Sequence, residues 1–147
     1  MVQRKGLLMG VIALSASLFV ASQVYAQAEN RQKVMKSNSA NAKAIKAAVE
    51  AKDYATVETK AKEIMGNADQ IALFPKGSKT GKTKAKPEIW EKPDDFVKAA
   101  KNLGKSAGEL AAAVKSGDAA AVDTKVKALN GACGNCHKAF RAEKYSE

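Results

Sequence analysis

The sequence predicts an all-α fold, an antiparallel up-down-up-down four-helix bundle, from three observations. Apolar residues recur every three or four positions in four segments, which is the period of a helix with one buried face. No stretch of four or more residues has the pattern of a strand. Short breaks near residues 52 and 117 favour antiparallel neighbours, whereas the connection over residues 74–93 is long enough to cross the bundle.

The inward positions define each helix in turn. They are Met35, Asn38, Ala42, Ile45 and Val49 in the first segment; Tyr54, Val57, Ala61, Ile64, Ala68 and Ile71 in the second; Phe96, Ala100, Leu103, Ala107, Leu110 and Val114 in the third; and Val122, Val126, Leu129, Cys133, Cys136 and Phe140 in the fourth. Asp53 and Asp118 are suited to start the second and fourth helices, and Pro93 suits the first turn of the third.

Residues 1–26 have the composition of a cleaved secretory signal peptide. Arg4 and Lys5 precede the uncharged apolar run 7–20, and small residues end the segment at Ala26. We therefore expect cleavage after Ala26, a single domain over residues 27–147, and a periplasmic protein. The apolar run is shorter than the roughly 20 residues that a membrane helix needs, although an uncleaved anchor stays an alternative.

The chain is basic, with a net charge of +10, and it stays strongly basic after removal of Arg4 and Lys5. A surface of this charge can meet nucleic acid, a membrane or an acidic protein. Export and the lack of an aromatic-rich basic segment argue against nucleic acid, and we expect no membrane association once the first segment is removed. An acidic protein partner remains.

Small residues are frequent at positions that should lie inside helices. Four glycines, Gly104, Gly108, Gly131 and Gly134, each cost up to about 1 kcal/mol relative to alanine there. Either a flat apolar group occupies space at one end of the bundle, or the bundle is merely rich in alanine. Composition alone leaves both interpretations open.

Both cysteines and the only histidine lie within the five residues Cys133-Gly134-Asn135-Cys136-His137. This is the C-x-x-C-H pattern of covalent c-type haem attachment. On a helix the three side chains share one side, so the two thiols can bond to the haem vinyl groups while the imidazole reaches the iron. The sequence therefore predicts one covalently bound haem c near one end of the bundle.

Three other uses of these residues are less well supported. A disulfide between Cys133 and Cys136 would close a very small loop and stabilise little. A thioredoxin-like pair requires a βαβ unit, and a zinc site would lack a fourth ligand. No Ser/His/Asp set, paired acid–base site or phosphate loop is present, so we expect no enzyme.

The chain resembles the class II cytochromes c, which include cytochrome c′ and its low-spin relatives. Three stretches carry the resemblance: Arg31-Gln32-Lys33-Val34-Met35-Lys36, the K-P-x-x-W segment from Lys86 to Trp90, and C-x-x-C-H-x-x-F-R from Cys133 to Arg141. The last is the most specific. Together they cover nearly all of residues 27–147.

The resemblance implies a role for each matching residue. Cys133 and Cys136 form the thioether bonds and His137 is the proximal iron ligand. Arg31, Gln32 and Arg141 lie near the haem, although Arg141 is also suited simply to the negative end of a helix dipole. The resemblance also allows a homodimer formed through the first helices.

The sixth iron position separates two functions. Only Met35 and Met65 follow the signal segment, and Met35 occupies the distal position of the family. If Met35 ligates iron, the resemblance implies a periplasmic electron carrier. If Met35 only packs in the core, it implies a five-coordinate binder of NO or CO.

Lysines of the long connection are suited to steering an acidic redox partner, or simply to keeping a solvated loop soluble. They are Lys76, Lys79, Lys82, Lys84 and Lys86.

Overall fold

The computed structural model describes residues 7–71 and 83–144, with side chains from residue 29 onward. The helices of these residues are α1 Leu7–Glu50, α2 Tyr54–Ile71, α3 Glu88–Glu91, α4 Pro93–Val114 and α5 Ala119–Phe140. No named strand occurs in the described ranges. The all-α prediction is confirmed, and the four long helices are the four that the apolar period predicted.

The two short connections reverse the chain through specific side chains and backbone angles. The Asp53 carboxylate accepts hydrogen bonds from the backbone N–H of Thr56 at 3.1 Å and from its hydroxyl at 2.6 Å. Asp118 Oδ1 accepts from the N–H groups of Ala120 and Ala121 at 2.9 and 3.3 Å. Both predicted helix starts are confirmed, because these carboxylates satisfy N–H groups that a first helical turn leaves without partners.

Helix packing follows chain order: α1 lies on α2, α2 on α4, and α4 on α5. A single apolar core runs between them and includes the fully buried Val57, Leu110 and Val122. Two close contacts place α2 against α4, where a Cβ added at Gly104 would lie 3.1 Å from the Ala68 Cβ, and one added at Gly108 would lie 3.2 Å from the Met65 sulfur. These two glycines therefore permit a close approach between helices.

The helix α3 was not predicted, because its four residues lie within the long Gly-, Pro- and Lys-rich connection 74–93 and are too few to show a helical period. Ile89 of this short helix is buried, and Trp90 packs against the same core. Burial of Ile89 and the Pro87 start explain why one helical turn forms here.

The predicted signal boundary at Ala26 falls within α1, which is continuous from Leu7 to Glu50. Cleavage after Ala26 stays a prediction. Among the described residues, no helix is both long and apolar enough to span a bilayer.

Candidate functional site

The C-terminal turns of α5 carry the cysteines and the histidine on the edge of the core. Leu129, Ala132 and Phe140 are buried and hold α5 against the bundle. Cys133 and Cys136 are half-buried and pack against that core. His137 follows directly and is exposed. The helix therefore presents two thiols and an imidazole along one side, at the boundary between core and solvent.

Both cysteines are free thiols. Burial raises the pKa of the Cys133 thiol and of the Cys136 thiol, and the pKa of Cys136 is raised further by the charge of Cys133. The thiolate is the form that attacks a disulfide or is oxidised, so a raised pKa slows these reactions at neutral pH. The raised pKa values thus favour the protonated form of both thiols.

The surroundings of His137 favour the neutral form of its imidazole. Partial desolvation lowers the pKa of His137, and the positive charge of Arg141 lowers it further. Arg141 ends α5, and its backbone N–H donates to the His137 carbonyl oxygen at 2.9 Å. A neutral imidazole offers the nitrogen lone pair that a metal ion requires.

Residues 83–86, here the docking segment, close over the end of α5. The Lys86 N–H donates to the Phe140 carbonyl at 3.0 Å, and the Ala142 N–H donates to the Lys84 carbonyl at 2.7 Å. The pairing forms an antiparallel bridge between Ala85 and Arg141. Lys86 Nζ also donates to the Lys138 carbonyl at 3.2 Å, which satisfies a carbonyl of the last helical turn.

The structural role of this segment was not apparent from the sequence. Lys84 and Lys86 were expected in a solvated loop or a steering surface, whereas both side chains are only partly exposed. Lysines 76, 79 and 82 lie outside the described residues. The K-P-x-x-W pattern was the available signal, because Pro87 and Trp90 mark an ordered turn beside a core aromatic.

Met35 lies on the edge of the buried face of α1. The centre of that face is formed by Val34, Asn41, Ile45 and Ala48. Met35 is partly buried and packs against the core. The predicted inward stripe through Met35 and Ile45 is therefore rotated slightly from the actual one, since the helix turns its face towards α2.

Three interhelical contacts set the level of Met35 relative to the cysteines. Asn38 of α1 contacts Asn67 of α2, and α2 meets α4 where Ala68 faces Gly104. The remaining contact joins Phe96 of α4 to Phe140 of α5 in an edge-to-face pair with ring centres 5.1 Å apart.

By the level of a residue we mean its position along the bundle axis. Because neighbouring helices are antiparallel, moving one residue towards the C-terminus of one helix corresponds to moving one residue towards the N-terminus of the next. Counting from these contacts puts Met35 at the level of Gly134, between the two cysteines, to within about one helical turn.

The other predicted site residues occupy different environments. Arg31, one turn before Met35, is half-buried, and desolvation lowers its pKa. Gln32 is exposed, as is Arg141. Met65 is the one large hydrophobic side chain that is exposed in the described part of the chain, with 43% of its surface accessible. The roles of these residues beside a haem stay predictions.

The donor set suits a covalently held haem. Two half-buried thiols lie beside apolar core side chains, an imidazole with a lowered pKa follows in the next position, and the Met35 thioether lies at the same level on another helix. Moreover, within the part of the chain that the structure describes, α1 packs extensively on α2 but not on α5, so the two helices that carry these donors are not closed against each other there. Apolar walls with donors from two sides match the needs of a haem.

A scan of protein families matches residues 26–141 to the family model of cytochrome c′. The chain belongs to this family. Its members, the class II cytochromes c, carry one covalently attached c-type haem with iron, and the two cysteines that such attachment needs are present here. The predicted family, bundle and cofactor are therefore confirmed.

Individual relatives agree with this assignment. Cytochrome c′ of Rhodospirillum rubrum is 44% identical over 73 residues, which are 49% of this chain and 50% of that protein. A cytochrome c-556 of Agrobacterium tumefaciens (strain II Chrys) is 39% identical over 104 residues, which are 71% of this chain and 75% of the relative. The first of these matches thus spans about half the length of the relative.

A solved cytochrome c′ structure superposes with a TM-score of 0.73 at 31% identity, covering 82% of this chain and 97% of the other. That protein is described as showing an unusual ligand-controlled dissociation of its dimer.

Proposed function

We propose that this chain is an exported electron carrier whose haem iron is ligated by His137 and Met35. The observation that carries the proposal is the level of Met35 on α1, which matches that of Cys133 and Cys136 on α5. The other candidate thioether, Met65, is 43% exposed, and its sulfur lies beside Gly108 of α4. Of these two thioethers, Met35 alone is supported as an iron ligand by its position.

In this proposal each residue of α5 has a defined task. The Cys133 and Cys136 thiols would hold the haem by adding across its two vinyl groups, each sulfur gaining a carbon bond while its proton would go to the second vinyl carbon. His137 supplies its neutral imidazole, and the Arg141 charge disfavours protonation that would compete with the metal. When bound, the haem supplies one-electron exchange between Fe(III) and Fe(II).

Met35 would make the carrier insensitive to small ligands. A thioether that fills the sixth position blocks access of NO or CO and keeps the coordination of the iron constant between oxidation states. Its packing against the core restricts its side-chain conformations, which reduces the entropy lost on ligation. Constant coordination favours fast electron transfer over ligand capture.

We also infer export to the periplasm and an acidic redox partner. The family match begins at residue 26, where the predicted signal segment ends, which supports residues 27–147 as the functional domain. The net charge of +10 supports recognition of an acidic surface. A homodimer is a further expectation, for which the described dimer of the solved relative is the support.

A five-coordinate haem that binds NO or CO is the second candidate. It is favoured by the core packing of Met35, since a side chain that already contributes to the core needs no iron to explain its position. The name cytochrome c′ among the relatives is compatible with it. Both candidates share the same attachment residues and differ only in whether the Met35 sulfur bonds to iron.

The optical spectrum of the haem-loaded protein tests the proposal. We expect low-spin bands, a far-red sulfur-to-iron charge-transfer band in the oxidised protein, and little response to CO. Met35→Ala should remove the far-red band and allow ready CO binding. Met65→Ala is the matched control and should leave the spectrum unchanged. High-spin bands in the unaltered protein, with the same CO response in Met35→Ala, would reject ligation and leave the gas binder.

A further inference from the structure

The position of α1 in the bundle depends mainly on its contacts with α2. Among the described residues, α1 packs extensively on α2 and has no comparable contact with α4 or α5. Because His137 belongs to α5, the distance between the Met35 sulfur and an iron held there depends on the chain of contacts from α1 through α2 and α4. The α1–α2 interface near Met35 is therefore the step where that distance is most directly set.

Asn67 of α2 makes the polar contact at this place. Its amide nitrogen Nδ2 donates to Asn38 Oδ1 at 2.8 Å and to Ser37 Oγ at 3.1 Å. The contact with Asn38 is partly buried, which strengthens a hydrogen bond relative to one in water. Asn67 thus forms hydrogen bonds with two consecutive residues of α1.

Apolar contacts beside Asn67 hold the helices together without fixing their rotation. Val34, Ala68 and Ile71 are buried in the neighbouring turns. Such contacts depend mainly on area, whereas hydrogen bonds depend on distance and angle. Asn38 lies three residues after Met35, so it is on the same side of α1 and close to one turn away. A rotation or slide of α1 that moves Met35 must also move Asn38 relative to Asn67.

We propose that Asn67 is a positioning residue for the sixth iron ligand. Its two hydrogen bonds fix the rotation and height of α1, and so hold the Met35 sulfur at bonding distance. This inference rests on the proposed ligation by Met35. Asn67 does not touch the iron or the haem in this scheme, and it acts through Asn38, Ser37 and the helix that they share with Met35.

Apparent CO affinity is the measurement that isolates this role. CO must displace Met35, so its apparent affinity is proportional to the fraction of the protein in which Met35 is not bound to iron. Asn67→Leu keeps a side chain of similar size and removes the donor. Loss of about two hydrogen bonds should raise the unbound fraction, and with it the apparent CO affinity, by about tenfold, while the far-red band falls only as the bound fraction falls. Asn102→Leu, an exposed asparagine of α4, is the control and should change neither.

Two further variants separate positioning from general stability. In a Met35→Ala background, adding Asn67→Leu should leave CO affinity unchanged, because the residue through which Asn67 acts is missing. Asn67→Asp should retain most of the low-spin signal, since the Asn38 amide can turn to donate to a carboxylate and the Ser37 hydroxyl can also donate. Urea unfolding of each variant shows whether it remains folded under the assay conditions.

The outcomes are distinguishable. If Met35→Ala raises CO affinity but Asn67→Leu does not, the positioning role of Asn67 is wrong and Met35 ligation stands. If Asn67→Leu raises CO affinity equally with and without Met35, Asn67 affects the haem pocket in another way and the inference is again wrong. If Met35→Ala itself leaves CO affinity unchanged, the proposed ligation is wrong and the inference is rejected with it.

Discussion

The two ends of the bundle are built differently. The end formed by residues 45–57 and 110–122 is closed by tight turns and filled by side chains that the structure buries completely or nearly so, such as Ile45, Leu110 and Val122. The end formed by α5's last turns has half-buried thiols, a half-buried methionine and a docking segment from a distant part of the chain. The first, here the closed end, is filled by protein side chains. The second, here the haem end, has its thiols, imidazole and thioether at the edge of the core.

This difference predicts where haem contributes to stability. The largest effect should come from the double variant Cys133→Ala, Cys136→Ala, which cannot form a thioether bond. We expect complete loss of covalent haem by mass spectrometry, and a free energy of unfolding lower by more than about 4 kcal/mol, because the apolar contacts and the iron ligation that the attached haem would make form only in the folded state.

Asn135→Ala provides the matched control, since Asn135 is exposed between the two cysteines. It should retain its haem. A haem-free double variant that unfolds cooperatively with almost unaltered stability would show that the haem end does not need its cofactor.

Two leucines of α4 compare the ends directly. Leu110 is fully buried in the closed end. Leu103 lies seven residues after Phe96, and Cys133 lies seven residues before Phe140, the partner of Phe96, so Leu103 and Cys133 are at the same level of the antiparallel helices. Leu110→Ala should cost about 3 kcal/mol of stability through the cavity that it leaves, with the haem spectrum unchanged. Leu103→Ala should lower stability and also change the spectrum. Urea unfolding and optical spectra measure the two effects, and a spectral change in Leu110→Ala alone would contradict the comparison.

The sequence predicted the closed end better than the haem end, for a physical reason. Helix period and capping are local, so the inward faces of α2 and α4 and the starts at Asp53 and Asp118 follow from residues close in sequence. The contact of Ala85 with Arg141, and that of Asn67 with Asn38, join distant segments through backbone groups or polar side chains. No periodic pattern marks such contacts.

The covalent site itself was predictable because its donors are local too. Cys133, Cys136 and His137 need only one and a half helical turns to share a side. Met35 required more, because its level relative to the cysteines depends on how four helices are stacked. The chain alone could identify it as a candidate, and the helix register supplies the alignment with the cysteines.

The smallest predicted effect concerns the two turns of the closed end. Lys52 and Gly117 both end a helix with positive φ, at 57° and 69°. Glycine adopts this conformation without strain, whereas lysine does not. Lys52→Gly should therefore stabilise the protein by about 0.5 kcal/mol, and Gly117→Ala should destabilise it by about 1 kcal/mol. Urea midpoints test both. Equal signs for the two changes would show that factors other than backbone strain dominate these turns.

The docking segment also supplies a natural reporter. The backbone amides of Lys86 and Ala142 form hydrogen bonds between the docking segment and residues 140–142. Their protons can exchange with deuterium only when that junction opens, whereas amides within α2 or α4 require those helices to open. The ratio of the two exchange rates would therefore report local opening of the haem end separately from unfolding of the whole bundle.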